Sequence, residues 1–472
     1  MDMIRRTGKG LLAILLAAGL SLVLFACQIN KSDTTDSPES SASPMPTATE
    51  EATDAPLEAT PAENASGTAS DEQNDATDTD AEEQSDTDEA ALSSGTGAYT
   101  ITADTSEEGK SYVSESSDEN ALRVENDCSA SVRSAAIDKT AGDSTNSAAS
   151  HSVGLNAAML LHGGAQLSLA ASDITSDAAG ATGAFVYGAD TYLIIEDSSV
   201  RTSGDDSCGI VAADGAIIAA KSLAVSTQGA ASAAIRTAQT GGSISITGGT
   251  FTTGGADSPA LSTAGSVSAQ NATLRANHSA AIVVDGSGSV TLNDCTVSGN
   301  MPSAGDDAGG NPYTVLLYQS ASDAESDGQS TFFMTGGRLN ANNGDLFYVT
   351  NTSSIITLTN VTLSPGNGVL LRVAGQDGQN GGECSLVATN QTMTGDILVD
   401  DVSSLDLALT GGTSFTGSVN PDGTAGDASV TLDSDSTWTL SGDAYLTEFS
   451  GKTKNIETNG YTVYVNGSAI TK

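Results

Sequence analysis

Five side chains stand apart in a 472-residue chain in which only 4% of residues are aromatic and Lys plus Arg number 17. Tyr187, Arg236, Tyr318, Tyr348 and Arg372 close the short β-like segments "AFVY", "AAIR", "VLLY", "LFY" and "VLLR". One apolar column runs through these and related segments: Val186, Val211, Ile235, Leu261, Ile282, Leu317, Phe347, Leu371 and Leu398. If that column faces a core, the next residue of each strand faces water. The outward column is then Tyr187, Ala212, Arg236, Ser262, Val283, Tyr318, Tyr348, Arg372 and Val399. Aromatic rings stack on sugar faces and guanidinium forks hydrogen-bond to their substituents, so the strip is expected to bind a glycan. Strands favour Tyr in any case, which gives the same column a purely structural reading.

Catalysis has less support. Paired acids occur at Asp205-Asp206, Asp306-Asp307 and Asp400-Asp401. Neighbours in sequence point to opposite faces of a strand or lie in loops, so they read as solvated charge, and no column of Asp across neighbouring coils is expected. His151, His162 and His278 are too dispersed for a metal cluster. No catalytic residue and no metal site is assigned; no cofactor is expected, and no motif supports Ca²⁺. Cys128, Cys208, Cys295 and Cys384 lie in separate repeats, too far apart for bridges, and are expected as small buried hydrophobes.

These residues need a scaffold that sets them one above another. "GSVTLNDCTV" (288–297) carries Val290, Leu292 and Val297 at offsets 0, 2 and 7, with Asp294 at offset 4. The spacing recurs from Leu167-Leu169-Ile174 through Leu193-Ile195-Val200, Ile244-Ile246-Phe251 and Phe332-Met334-Leu339 to Leu386-Ala388-Met393, mostly 21 to 34 residues apart. Leu407-Leu409-Phe415 has one extra residue. Offset 4 is usually Gly, Asn or Asp (Asp197, Gly248, Asn271, Asp294), the residues that tolerate a left-handed corner; Ala171 and Ser222 are exceptions. Offset 6 is often Thr (Thr250, Thr273, Thr296), which predicts an exposed ladder. Two inward residues, a corner, a third inward residue and a preceding strand predict an all-β, right-handed parallel β-helix of about 10–12 coils over residues 96–472. Trp438 is expected to cap the C-terminal end. The segments 299–313 and 320–330 read as protruding loops.

The first hundred residues differ. Arg5, Arg6 and Lys9 precede an apolar stretch, Leu11–Phe25, too short to span a bilayer comfortably, ending in Leu24-Phe25-Ala26-Cys27. This resembles a lipoprotein signal peptide (1–26) with Cys27 as the lipidated residue. It implies the outer face of a bacterial plasma membrane. Residues 27–95 are acidic and rich in Ser, Thr, Pro and Ala, with no apolar period, and predict a disordered tether. The net charge of −42 argues against a nucleic-acid partner.

"DENALRVENDCSASV" (118–132), "GLNAAMLLHGGAQLSLAASDIT" (154–175) and "STWTLSGDAYLTEFSGKTKNIETNGYTVYVNGS" (436–468) carry a resemblance. The chain resembles the pectin-lyase-like β-helix superfamily and, within it, adhesin-like surface lipoproteins of clostridial type. The resemblance implies architecture and surface display; some β-helix relatives bind carbohydrate or are polysaccharide lyases. The leading expectation is a lipid-anchored, adhesin-like rod that binds extracellular or cell-wall polysaccharide. The alternatives are a lyase or hydrolase on the same fold and a structural spacer.

Overall fold

The computed structural model describes residues 92–302, 311–320, 328–375 and 380–471. The expectations for the signal peptide, Cys27, nearly all of the tether and the Asp306-Asp307 pair fall outside these residues. The described residues lie within one compact unit, Asp86–Lys472.

That unit is a parallel β-solenoid of the right-handed type with about thirteen coils. Its strands line up in a first sheet of 12, a second of 14 and a third of 10, continued by a four-stranded sheet near the C-terminus. In each sheet the neighbour of a strand is its counterpart one coil on. At an inter-strand spacing of about 4.8 Å the stack is roughly 60 Å long. The repeat spacing undercounts the coils at both ends. Ala130, Val132 and Ile137 form an N-terminal rung in which a small Ala replaces a larger apolar residue. Val430, Leu432 and Trp438 form a late rung with one extra residue.

The 0-2-4-7 pattern explains the coil. Val290, Leu292 and Val297 are fully buried, and their ladder partners Val267, Ala269 and Leu274 are buried beside them. Offset 4 is left-handed throughout: φ is 48° at Asp197, 54° at Asn271 and 50° at Asp294. It is also 50° at Ala171 and 51° at Ser222, so the corner is imposed by stacking even where the side chain disfavours it. Thr250, Thr273 and Thr296 pair coil to coil on the exposed face, as the spacing predicts. Trp438 is not a cap. It is fully buried, stacks on Phe415 at 6.1 Å and is itself followed by Ile456. The Val463–Val465 and Ser468–Ala469 strands form an antiparallel pair beyond it.

The register of the first sheet differs from the expected columns. Its inner positions are two files. One runs Ala184, Ile210, Ile235, Leu261, Ile282, Val315, Phe347, Leu371 and Ile397. The other includes Val186, Ala212, Val284, Leu317, Val349, Val373 and Val399. Val211 and Leu398, expected inward, face outward, and Ala212 and Val399, expected outward, face the core. A one-residue slip exchanges the faces of a strand. It went unmarked because Val211 is apolar and 1% exposed: the outer face is covered there.

A short helix, α1, Ser147–Val153, lies at the rim of this face, where its His151 lines a groove with Cys208 and Ala233. Asn146 caps it by accepting from the Ala149 N–H, and Gly154 ends it at φ 72°. Gly154 sits so close to the sheet that a Cβ there would lie 2.8 Å from Leu160 and Phe185. Leu160, Phe185, Val211, Ala213 and Ala238 form a second apolar cluster outside the solenoid core, with Tyr187 packed against it. The corner before the Ile210–Ala213, Ile235–Thr237 and Leu261–Thr263 strands is fixed by a serine stack. The Ser207 N–H donates to Ser232 Oγ and the Ser232 N–H to Ser258 Oγ, each at 2.9 Å. Gly255 lies one coil beyond Gly229, whose carbonyl would be 1.8 Å from any added Cβ, so the corners pack too tightly for a side chain. All four described cysteines after Cys27 are buried and free, as their spacing implied.

Candidate functional site

All five predicted strip residues lie on the outer face of the first sheet, in two files rather than one. Arg236, Ser262, Val283, Leu316, Tyr348 and Arg372 form one file. Tyr318 pairs with Asp285 and Thr350 in the adjacent file, and Tyr187 pairs with Ala213 in the same register position further up. Their surroundings separate them more than their register does.

Tyr187 is taken up by packing against the outer apolar cluster. Tyr348 is only 4% exposed and packs against Tyr313, ring centroids 5.5 Å apart. Burial pushes its hydroxyl above the ordinary range. Arg372 Nε donates to Asp345 Oδ2 at 2.5 Å, and Asn367 Nδ2 donates to Asp345 Oδ1 at 2.7 Å. Asp345 is 1% exposed, so this guanidinium neutralises a buried carboxylate and serves the fold.

Arg236 and Tyr318 line an open groove of about 410 Å³. Its floor carries Arg236 and Ser262. One side is the corner with Gln239 and Thr240, and the other is the corner with Asp257 and Pro259. His151, from the last turn of α1, lies at one end; Asp285 and Tyr318 lie at the other. The strands of Arg236 and Tyr318 are three steps apart, roughly 14 Å. Asp285 is held in place: its Oδ1 accepts from the Ser320 N–H at 3.0 Å and its Oδ2 from Gln239 Nε2 at 3.3 Å. Burial, followed by the charge of Asp285, pushes the Tyr318 hydroxyl up to about 12, so Tyr318 is a neutral donor. His151 Nε2 is 3.7 Å from Asp206 Oδ1. Burial and then the charge of Arg236 hold its pKa below the ordinary value, and Asp206 opposes them in part. The sequence spacing left out His151 because α1 is an insertion outside the repeat; the signal for it was the Asn146 cap and Gly154 stop.

Acids recur on successive coils of another sheet. Glu383, Asp406, Asp427 and Glu448 occupy four successive coils on the outer face of the second sheet, alternating between two files. They border a shallow depression of about 390 Å³. Ser429 Oγ donates to Asp406 Oδ1 at 2.6 Å, and Thr447 Oγ1 donates to Asp427 Oδ1. No file stacks Asp on Asp, but the alternation was not visible in the sequence because only inward positions were aligned between repeats. The acids are spread along the stack: among the described residues no three His, Cys, Asp or Glu side chains group closely enough to hold a metal ion. Asp206 faces His151, and Asp400 Oδ2 accepts from the Gly375 N–H at 2.8 Å, so these two are not simply solvated.

Fold and groove together define a parallel β-solenoid with an open polar cleft on its first sheet. No family model and no curated protein matches the chain.

Proposed function

We propose that this protein is a lipid-anchored, adhesin-like solenoid of the bacterial cell surface that binds extracellular or cell-wall polysaccharide. The observation that carries the reading is the open groove, which presents the guanidinium of Arg236, unpartnered among the described residues, and the neutral phenol of Tyr318 on the sheet. Planar donors and an aromatic ring spaced along a straight cleft suit an extended polymer of sugars. Tyr187, Tyr348 and Arg372 drop out of the binding strip on this reading, because packing or an ion pair occupies them. The resemblance to the pectin-lyase-like superfamily and its surface lipoproteins agrees with the stacked coils and rests on loose motifs.

Membrane attachment rests on Leu24-Phe25-Ala26-Cys27, with the acidic segment as a spacer. Cys27→Ser is expected to move the chain from the membrane fraction to the soluble fraction; retention in the membrane would remove the lipid anchor from the account.

A second reading, glycan hydrolysis, is favoured by the recurring acids of the second sheet. Diagonal neighbours such as Glu383 and Asp406 stand about 7–8 Å apart at the backbone, a separation that lets two carboxyls flank a glycosidic bond. A glycan array read beside a polysaccharide-degradation assay on the same sample decides among the readings. Binding without cleavage supports the adhesin. Cleavage lost in Asp406→Asn supports the hydrolase. Neither activity leaves a structural spacer.

A further inference from the structure

We propose that the groove is a carboxylate site whose grip tightens in acid: Arg236 takes the anion at any pH, and His151 joins it when protonated. The proposal rests on the glycan reading above and names the charge class of its ligand.

The first observation is the isolation of Arg236. Arg123 pairs with Glu125 at 2.7 Å, Arg372 with Asp345 at 2.5 Å, and Arg201 lies 3.7 Å from Asp173. Arg275 Nε donates to Asn277 Oδ1 at 2.8 Å, and Arg133 and Arg338 are exposed to water. Arg236 is half-buried and has neither a hydrogen bond nor an ion pair among the described residues. Removing a guanidinium from water without a counter-ion is costly. An incoming carboxylate would offset that cost, and its two oxygens match the guanidinium fork. The second observation comes from a different part of the chain. His151 Nε2 is buried with no hydrogen-bond partner, on the same groove. A buried nitrogen left unsatisfied is a standing cost that a ligand oxygen would relieve.

The charges around His151 set the direction of the pH effect. α1 places no acid in its first turn. Asp206 faces His151 from the corner before the Ile210–Ala213 strand. Beside it, Asp205 is engaged by the Ala230 N–H at 2.8 Å. Arg236 faces it from the Ile235–Thr237 strand, and Asp257, Asp285 and Tyr318 border the groove further on. Burial and Arg236 keep the ring neutral at pH 7, and Asp206 favours its protonation. A bound carboxylate adds a second negative neighbour, so binding takes up a proton and affinity rises as pH falls below about 6.5. Sugar carboxyls, ordinarily near 3.5–4, remain ionised over that range. A singly charged group fits better than a more highly charged anion, because Asp206, Asp257 and Asp285 stand close by.

The test is calorimetric titration of the full chain with a hyaluronan tetrasaccharide, its neutral methyl ester, and tri-alanine with a free or amidated C-terminus. The tetrasaccharide is expected to bind about tenfold tighter than its ester. It is expected to tighten by about three- to tenfold from pH 8 to pH 5.5. Arg236→Gln should abolish the preference for the acid, and His151→Gln should keep the preference but remove its pH dependence. Equal binding of acid and ester would overturn the carboxylate site and leave the glycan reading intact. Binding of acidic tri-alanine alone, with the same response to both substitutions, would uphold the carboxylate site and remove the glycan reading. No binding by any of the four probes overturns the proposal. Should either variant fail to fold, the unsubstituted chain still decides. The ring resonances of His151 must shift with the tetrasaccharide and titrate at a higher pH, and unmoved resonances overturn the proposal.

Discussion

Arg236 and Arg372 occupy the same outward file of the same sheet, yet one lines a groove without a partner among the described residues and the other is closed off by its ion pair with the buried Asp345. Between them run Ser262, Val283, Leu316 and Tyr348. At Arg372 the strand two residues upstream of Phe347 brings in Asp345, and Asn367 closes over it. At Arg236 no acid among the described residues lies within ion-pair distance of the guanidinium. Facing outward in a solenoid therefore does not make a side chain available. The corners and insertions beside each strand decide that, and they vary from coil to coil while the ladder does not.

The comparison is broken most directly at the sealed end. Arg372→Ala would leave Asp345 charged and buried with only Asn367 to serve it, a loss of about 3–5 kcal/mol. A denaturant melt checks this; a loss under about 1 kcal/mol would mean that Asp345 is solvated and that the two arginines are alike. Tyr348→Ala comes next. Removing a ring that is 4% exposed is expected to cost about 3 kcal/mol in the same melt. At the open end the expected balance reverses. Arg236→Ala should change stability by no more than about 0.5 kcal/mol and weaken binding of an acidic glycan about tenfold, read by calorimetry beside the melt. The smallest effect belongs to His151. Its folded pKa lies below the ordinary 6.5, so the neutral ring favours the folded state. Stability from this group is complete above about pH 6.5 and declines as pH falls through the lower folded value. A slight fall in Tm between pH 7 and pH 5, reduced in His151→Gln, is the expected readout.

What could be read beforehand divides along the same line. The second and third sheets were legible because their strands alternate strictly and meet at a corner that selects Gly, Asn or Asp. Val290, Leu292, Asp294 and Val297 stand in the sequence as they stand in space. The first sheet was legible only as a set of strands. "AFVYG" and "GIVAA" are apolar on both faces, since the outer one carries a second buried cluster, so Phe185 and Val211 look like core and the register slipped by one at Val211. Arg236 and Tyr318 were identified by residue type alone. The loss of Tyr348 and Arg372 to packing depended on Tyr313 and Asp345, ladder partners at the starts of their strands, ahead of the positions that the apolar column marks. His151 lay on an inserted helix, and the acids of the second sheet lay at outward positions that the apolar ladder does not mark.

The ladder has a mechanical consequence. Every backbone hydrogen bond between coils points along the stack, so a pull applied at the two chain ends opens the sheets like a zipper rather than shearing them. Only the outermost rung bears the load at any moment. From Leu193 to its ladder partner Ile218 the chain advances 25 residues. Releasing one such coil therefore pays out roughly 80–90 Å of extended chain. A molecule tethered at a surface and pulled at its far end would yield coil by coil, lengthening many times over while the remaining coils stay folded.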